Sequence, residues 1–194
     1  MNRFEGKSVI VTGAASGFGR AIAVKFADEG ASVICADLDM AGAEKVAAGL
    51  GGAMAFEIDV ASEEQNNAMI KAAVDKFGKI DVLCCNAGVP HRGSYMIKMA
   101  VEDFDRMWAI NVRSIFLAAR AAIAHMPEGS SIISTASIGG KQPQRPVQRR
   151  GRVDCPHAAR RQDKATVPLR ALNPSRRLGH GFPHIEPRGS FAVA

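Results

Sequence analysis

Three glycines near the amino terminus have the spacing of a phosphate-binding turn. Gly13, Gly17 and Gly19 stand in VTGAASGFGRAI, between a short apolar run and a segment with helical periodicity. Without side chains the turn can tighten, backbone N–H groups can approach a pyrophosphate, and the following helix presents its partially positive amino terminus. A tight turn with a purely structural role is the alternative. The position between a strand and a helix favours phosphate binding.

An aspartate ends the next apolar run, 18 residues after Gly19. The Asp37 carboxylate could accept hydrogen bonds from the hydroxyls of an adenosine ribose, and it would repel a 2′-phosphate. Neither Ser16 nor Leu38, which flank these positions, offers the cation that a phosphorylated ribose needs. The pattern therefore favours NAD over NADP. A helix-capping or turn aspartate is the structural alternative, and the spacing from the glycines favours the ribose contact.

Two further polar residues stand at informative positions. Asp59 closes the third apolar run, where it could contact an adenine ring or cap the helix that begins in ASEEQ, and both interpretations stay open. Asn111, in MWAINVRSIF, lies on the same helical stripe as Phe104, Met107 and Ile115. Its amide is predicted to face the interior and to need hydrogen-bond partners, as a core asparagine does.

Alternating strand-like and helix-like segments must position these residues. The strand-like runs cover residues 8–13, 31–37, 53–60, 80–88 and 130–137. Because they are apolar at consecutive positions, both of their faces need cover, and the stretches between them have apolar residues at helical spacing. This alternation predicts a doubly wound α/β fold with a parallel sheet, whose ligands bind beyond the carboxyl ends of the strands.

The order of the motifs resembles the classical short-chain dehydrogenase/reductase (SDR) family. The turn Thr12-Gly13-x3-Gly17-x-Gly19 and the sequence CNAG at 85–88 occur in the family's order, and the resemblance covers about residues 5–144. It implies a Rossmann-like fold, a nicotinamide dinucleotide cofactor and hydride transfer between the nicotinamide and an alcohol or ketone. The predicted cofactor-binding residues are Thr12, Gly13, Ser16, Gly17, Phe18, Gly19, Asp37, Leu38, Asp59, Val60, Asn86, Ala87 and Gly88.

The resemblance also implies individual roles. The segment 86–88 would stabilise the central sheet and lie along the cofactor, and 59–60 would meet the adenine ring. Asn111 matches the family's Asn, which holds a proton-relay water. Ser137, in STASIGG, matches the Ser that hydrogen-bonds the substrate carbonyl oxygen, whereas Ser134 lies three residues deeper in the strand.

The Tyr-x-x-x-Lys pair that completes the family's catalytic set has no match here. It would follow the Ser by about a dozen residues, so that Tyr and Lys share a helix face, but Arg150 and Asp154 stand there instead. Tyr95 is the only tyrosine, and its spacing to Lys98 is three rather than four. Without that phenol and ammonium, we expect severely slowed proton transfer and a weak or inactive enzyme. The alternative is a non-catalytic NAD-binding or basic-tail interaction protein.

The composition changes at about residue 144. Residues 1–144 carry a net charge of −2, whereas 145–194 hold ten arginines, a net charge of +8 and six of the nine prolines. We expect a dinucleotide-binding domain over 1–144 and a basic Pro/Arg-rich tail over 145–194 that is irregular or disordered. The fold is therefore expected to be truncated or altered after the fifth strand. Either the tail is coding sequence read out of register, or it is a genuine divergent tail.

The residues of the basic tail give little support for binding of nucleic acid or of a metal ion. Clustered arginines could neutralise nucleic-acid phosphates, but only Phe182 and Phe191 offer stacking surfaces, so a solvated tail is preferred. No metal site is predicted, because the cysteine and histidines of the tail do not have the spacing of a closed zinc site: Cys155, His157, His180 and His184.

The distribution of apolar and charged residues indicates where in the cell the protein is expected. There is no basic-then-apolar leader, and no apolar run approaches the roughly 18 residues of a membrane span, so a cytoplasmic protein with no membrane partner is expected. Cys35, Cys84 and Cys85 lie in apolar runs and are expected to be reduced and buried. The expected partner is a small alcohol or ketone. The resemblance implies a homo-oligomer built partly on the family's fourth and fifth helices, and because the fifth would follow residue 144 this oligomer is not expected here.

Overall fold

A parallel sheet layered by helices is the framework of the chain. A computed structural model describes residues 2–90 and 98–137, together with the backbone of 192–193. The strands are β1 (Ser8–Thr12), β2 (Ser32–Asp37), β3 (Met54–Glu57), β4 (Val82–Cys85), β5 (Ser131–Ser134) and β6 (Ala192–Val193). The helices are α1 (Gly17–Asp28), α2 (Met40–Ala48), α3 (Glu63–Phe77), α4 (Val101–Trp108) and α5 (Ser114–Ala122). The rest of the basic tail, with Arg150, Asp154 and Cys155, lies outside the described residues, as does Tyr95.

The strand order is β3-β2-β1-β4-β5-β6, and all neighbouring pairs are parallel. From β1 the chain winds outward to β3, and it then returns to place β4 on the other side of β1. The winding direction therefore reverses between β1 and β4, where the loops beyond the strand ends diverge and leave a crevice for ligands. The doubly wound parallel fold predicted from the sequence is confirmed.

The central strands are buried on both faces, as their consecutive apolar residues require. All residues of β1 and β4 are buried. Val9 and Val11 pack in one core cluster with Ala23 of α1 and Ala43 of α2. Ile10 packs on the opposite face in a second cluster, which contains residues of α3 and α5. Each such fully buried aliphatic side chain stabilises the fold by about 1.5–3 kcal/mol relative to exposure, so the central strands hold the site rigidly.

The strands are shorter than the apolar runs that predict them. The run at 53–60 contains a strand only over Met54–Glu57, and the run at 80–88 only over Val82–Cys85. Asp59 therefore lies two residues beyond its strand instead of closing it. The backbone N–H groups of Asp59 and Asn86 bond to side chains, of Gln65 and Thr12 respectively, so the chain leaves the ladder before these residues.

The helical segment from Val101 to His125 continues α4 through a π-helical turn, Ala109–Arg113, into α5 and a final 3-10 turn. It is long and apolar enough, by length and composition alone, to cross a membrane, contrary to the expectation from the sequence. The reason is that Arg113 and Arg120 are the only charged residues between positions 107 and 124. The buried face of α5 packs in the core through Ser114, Leu117, Ala118 and Ala122.

The apolar stripe predicted along this segment is not uniformly buried. Phe104 is 52% exposed, whereas Asn111 and Ile115 are half-buried. α4 buries none of its residues, and the π-helical turn then adds a residue to one turn and changes which face meets the sheet. Met107 is half-buried as the stripe predicts, so regular helical spacing was wrong for Phe104 only.

Candidate functional site

The glycine turn between β1 and α1 is closely packed at two of its glycines. Gly13 has φ +70°, and a Cβ atom there would lie 3.0 Å from the Cα of Ala87. A Cβ atom on Gly19 would lie only 2.0 Å from the carbonyl oxygen of Gly13. At Gly17 the space is open, but φ is +53°. The three glycines thus serve different needs, close approach at 13 and 19 and backbone conformation at 13 and 17.

The amino terminus of α1 follows this turn directly. No acidic residue stands in the first turn of α1. Ser16 occupies the N-cap position without a side-chain capping bond, and Phe18 is 79% exposed. The helix dipole and the first backbone N–H groups can therefore meet an anion without competition from the helix's own first turn.

Thr12 joins the end of β1 to the segment after β4. Its buried Oγ1 accepts hydrogen bonds from the backbone N–H groups of Asn86 (3.0 Å) and Ala87 (3.1 Å). The Asn86 side chain donates to the Thr12 carbonyl at 3.1 Å, and the Thr135 hydroxyl donates to Asn86 Oδ1 at 3.2 Å. These bonds connect the carboxyl ends of β1 and β4, which border the crevice, and join β5 to them.

Asp37, the last residue of β2, reaches the glycine turn. Its Oδ2 accepts a hydrogen bond from the backbone N–H of Ala15 at 2.9 Å, and its Oδ1 accepts one from Asp39 at 3.0 Å. The N-cap of α2 is Asp39, whose side chain accepts from the N–H of Gly42. Asp39, rather than Asp37, therefore caps α2, whereas the bond from the Asp39 N–H gives Asp37 the turn role that was its other structural alternative. Leu38, which is 69% exposed, stands next to this carboxylate at the edge of the turn.

The loop after β3 is held in shape by its own residues and by those of α3. Asp59 Oδ1 accepts from the N–H of Ala61 at 2.9 Å, and the N–H of Asp59 donates to Gln65 at 2.6 Å. Ser62 is the N-cap of α3 and accepts from the N–H of Gln65. The capping role considered for Asp59 thus belongs to Ser62. Val60, beside Asp59, is buried.

Asn111 lies in the π-helical turn and uses its amide on the backbone after β4. Oδ1 accepts from the N–H of Val89 at 2.8 Å, and Nδ2 donates to the Val89 carbonyl at 2.9 Å. A Cβ atom on Gly88 would lie 3.1 Å from Asn111 Oδ1. The amide has the hydrogen-bond partners that its partly buried position requires. Through these two bonds, Asn111 also holds the backbone at Val89, three residues after Asn86.

Ser137 lies three residues beyond the end of β5 and is exposed. The N–H of Thr135 donates to the carbonyl of Cys85 at 3.0 Å, which keeps the chain beside the end of β4. Apart from Asn111, which lies on a helix, the predicted residues therefore lie at or beyond the carboxyl ends of five neighbouring strands. Among the residues described, no group of three or more His, Cys, Asp or Glu side chains could hold a metal ion.

Sequence reasoning missed several residues that hold this site. Thr135 and Ala15 bond to predicted residues, and no pattern marks them. Gln65 was recoverable, because Ser62-x-x-Gln65 has the spacing of a capping box. Arg113, whose guanidinium donates to the Ala61 carbonyl at 2.8 Å, stands in an otherwise ordinary exposed helix position.

Known sequences match most of this chain. The sequence profile of the family described as short chain dehydrogenase matches residues 7–148. A meso-2,3-butanediol dehydrogenase of Serratia marcescens is 37% identical over 141 residues, which are 71% of this chain and 56% of that protein. An uncharacterized oxidoreductase of Bacillus subtilis is 38% identical over 146 residues, 73% of this chain and 54% of its own length. The chain thus spans about half the length of these curated relatives.

Solved structures agree with the fold. A 3-ketoacyl-(acyl-carrier-protein) reductase from Brucella melitensis, complexed with NADH, has a TM-score of 0.71 and 39% identity, covering 74% of this chain and 62% of its own. A short chain dehydrogenase from Burkholderia cenocepacia, in complex with NADP, has a TM-score of 0.71 and 31% identity, covering 75% and 61%. The profile match extends from before Thr12 to beyond Ser137 and so includes every predicted site residue. This chain therefore belongs to the short-chain dehydrogenase family.

Proposed function

We propose that this chain binds a nicotinamide adenine dinucleotide at the carboxyl ends of β1, β2 and β4, and that it is an oxidoreductase for small alcohols or ketones. The observation that carries the proposal is the glycine turn. Side chains are excluded at Gly13 and Gly19, α1 begins directly after the turn, and Asp37 is hydrogen-bonded to the turn itself. Such a cradle fits a pyrophosphate that is followed by a ribose.

The cofactor contacts follow from the order of the strand ends. The turn from Thr12 to Gly19, including Ser16, Gly17 and Phe18, would hold the pyrophosphate through backbone N–H groups. Asp37 and Leu38 would border the adenosine ribose, and 59–60 would meet the adenine. The segment 86–88 would lie along the cofactor towards its nicotinamide end. In this assignment, each strand end contacts a different part of the dinucleotide.

A preference for NAD over NADP rests on charge. The Asp37 carboxylate would stand beside the 2′ position of the ribose, where the additional phosphate of NADP is also negative. Two backbone N–H groups hold this carboxylate in place, so it cannot turn away without losing both bonds. Solved relatives bind NADH in one case and NADP in another, so the preference depends on the residues of this chain.

In the chemical step, the cofactor and the protein side chains have separate roles. When bound, the nicotinamide supplies hydride exchange with the alcohol or ketone carbon. Ser137 would donate a hydrogen bond to the substrate oxygen, and Asn111 would hold the backbone at Val89 and the family's relay water. Residues 145–194 contain no tyrosine to exchange the proton. Turnover is therefore expected to be slow, because the oxygen must exchange its proton with water.

The residues before and after position 144 have different proposed roles. The dinucleotide-binding domain is proposed to cover residues 1–144, and 145–194 is proposed to be a basic tail, of which Ala192–Val193 pairs with β5. We propose a cytoplasmic protein that acts on small molecules, without a membrane or nucleic-acid partner. The homo-oligomer usual for the family depends partly on elements that 145–194 do not resemble, so it is not part of this proposal.

Titration calorimetry with NADH and NADPH tests the binding step on the full chain. We expect NADH to bind at least about tenfold more tightly, because a like-charge contact costs several kcal/mol. A parallel assay follows NADH oxidation over a panel of ketones. Binding without turnover would support the non-catalytic alternative, and rapid turnover would contradict the role given to the missing Tyr and Lys. No heat with either dinucleotide would overturn the proposal.

A further inference from the structure

The loop over residues 59–62 is here called the adenine loop. Each of its four backbone carbonyls accepts a hydrogen bond. The carbonyl of Asp59 accepts from the N–H of Ser62, and the Asn66 side chain donates to the carbonyls of Val60 (2.9 Å) and Ser62 (2.7 Å). The carbonyl of Ala61 accepts from the Arg113 guanidinium at 2.8 Å. These hydrogen bonds therefore fix the backbone conformation of the adenine loop.

Arg113 differs from the other residues that bind the adenine loop. Ser62, Gln65 and Asn66 belong to the loop or to the first turns of α3, so their bonds tie the loop to α3, while the buried side chain of Val60 packs in the core. Arg113 comes from the π-helical turn, 52 residues away along the chain. Its bond joins the loop backbone to a different helix. β3, which leads into the loop, is the outermost strand on its side of the described sheet and has only four residues.

The position of Arg113 also relates it to Asn111. The two residues stand two positions apart in the same π-helical turn. Asn111 binds the backbone at Val89, after β4, and Arg113 binds the backbone at Ala61, after β3. One turn of helix thus reaches the segments that the proposed function assigns to the nicotinamide end and to the adenine end of the cofactor.

We propose that Arg113 is a positioning residue for the cofactor, which holds the adenine loop where it binds the adenine ring. This inference rests on the proposed function, because it concerns the same nucleotide. Arg113 is exposed, so water can replace it at the Ala61 carbonyl and the folded state loses little stability without it. The loop then has more freedom, and binding of the nucleotide must order it again.

The test compares Arg113→Ala with a matched variant, Arg120→Ala. Arg120 lies on α5, is half-exposed and pairs with the side chain of Glu63, the first residue of α3, without binding the loop backbone. Dissociation constants are measured for NADH, ADP-ribose and AMP on the full chain, together with melting temperatures. We expect Arg113→Ala to weaken all three ligands by the same factor, roughly five- to tenfold, since all carry the adenine. Arg120→Ala should leave all three unchanged.

Arg113→Lys provides the rescue, because a lysine can still donate one hydrogen bond to the Ala61 carbonyl. We expect it to recover most of the affinity, and its folding keeps the test meaningful if Arg113→Ala does not fold. Unchanged affinities in Arg113→Ala would overturn the inference while the proposed function stands, and so would a loss for NADH without a loss for AMP. Absence of nucleotide binding by the wild-type chain would overturn the proposed function and this inference with it.

Discussion

The hydroxyl oxygen of Thr12 lies 3.0 Å from the backbone nitrogen of Asn86, and it lies 3.1 Å from that of Ala87. One buried side-chain atom thus accepts two N–H groups from the segment where the chain leaves β4. These strands flank the point at which the sheet reverses its winding. These bonds hold the carboxyl ends of β1 and β4 together at the point where ligands of such sheets bind.

The first prediction concerns this hydroxyl. Thr12→Val keeps the shape of the side chain but leaves two part-buried N–H groups without an acceptor, so the free energy of unfolding should fall by about 2–3 kcal/mol. Thr12→Ser retains the acceptor and loses only a methyl group, which should cost about 1 kcal/mol. Urea denaturation of the three proteins measures the difference. Equal stability of the valine and serine variants would contradict the role of the hydroxyl.

The second prediction separates two reasons for glycine in the turn. Gly19→Ala places a Cβ atom against the Gly13 carbonyl oxygen, so the turn must open, and we expect a loss of about 3 kcal/mol. Gly17→Ala meets open space and suffers only from its positive φ, which should cost about 1 kcal/mol. Denaturation gives both values, and NADH titration of the folded variants should show the larger loss of affinity for Gly19→Ala. A costlier change at Gly17 would contradict this assignment.

The third prediction tests the charge at the ribose. Asp37→Asn removes the negative charge with little change of shape, and the ratio of the NADPH to the NADH dissociation constant should fall by about tenfold or more. Adding Leu38→Arg should lower the ratio further, because a guanidinium binds phosphate well. Asp39→Asn is the control, since its carboxylate lies two residues on and caps α2. It should leave the ratio unchanged, and a ratio equally altered in both variants would argue against a specific role for Asp37.

Much of the fold could be predicted from the sequence, because patterns of burial are local. Consecutive apolar residues in β1 and β4 indicate strands covered on both faces, and the structure buries them all. Helical spacing failed for Phe104, because a π-helical turn changes the period within one helix. The contacts of Thr135 and Arg113 could not be predicted either, since both join segments that are distant in sequence. Such partners are determined by the tertiary fold and leave no local pattern.

The fourth prediction concerns Asp81, a buried carboxylate at the amino end of β4. Burial alone would raise its pKa, but the hydrogen bond from the N–H of Ser8 and the ammonium groups of Lys7 and Lys79 outweigh burial and lower the pKa. Because the folded pKa lies below the unfolded one, the stabilisation is complete above the unfolded value, about 4, and is lost as the pH falls through the folded value.

Asp81→Asn should therefore lower the free energy of unfolding by about 2 kcal/mol at pH 7, through lost bonds to a charged acceptor. The deficit should stay constant down to about pH 5 and shrink below about pH 4, as the wild-type carboxylate is protonated. Asp75→Asn, which removes an exposed ion pair with Lys71 on α3, should cost less than about 0.5 kcal/mol at any pH. A deficit for Asp81→Asn that does not depend on pH would show that the charge is not responsible.

The last prediction concerns the buried thiols in the central strands. Burial raises the pKa of Cys35 to about 11 and that of Cys85 to about 12. For Cys84 burial and the neighbouring Cys85 raise the pKa to about 12. Because the thiolate is the reactive form, iodoacetamide at pH 8 should modify these three residues only when the chain opens. Peptide mass mapping should find them unmodified in the native protein and fully modified in concentrated guanidinium. Rapid labelling of Cys84 in the native protein would mean that β4 is accessible and that the junction with β1 is weaker than its hydrogen bonds indicate.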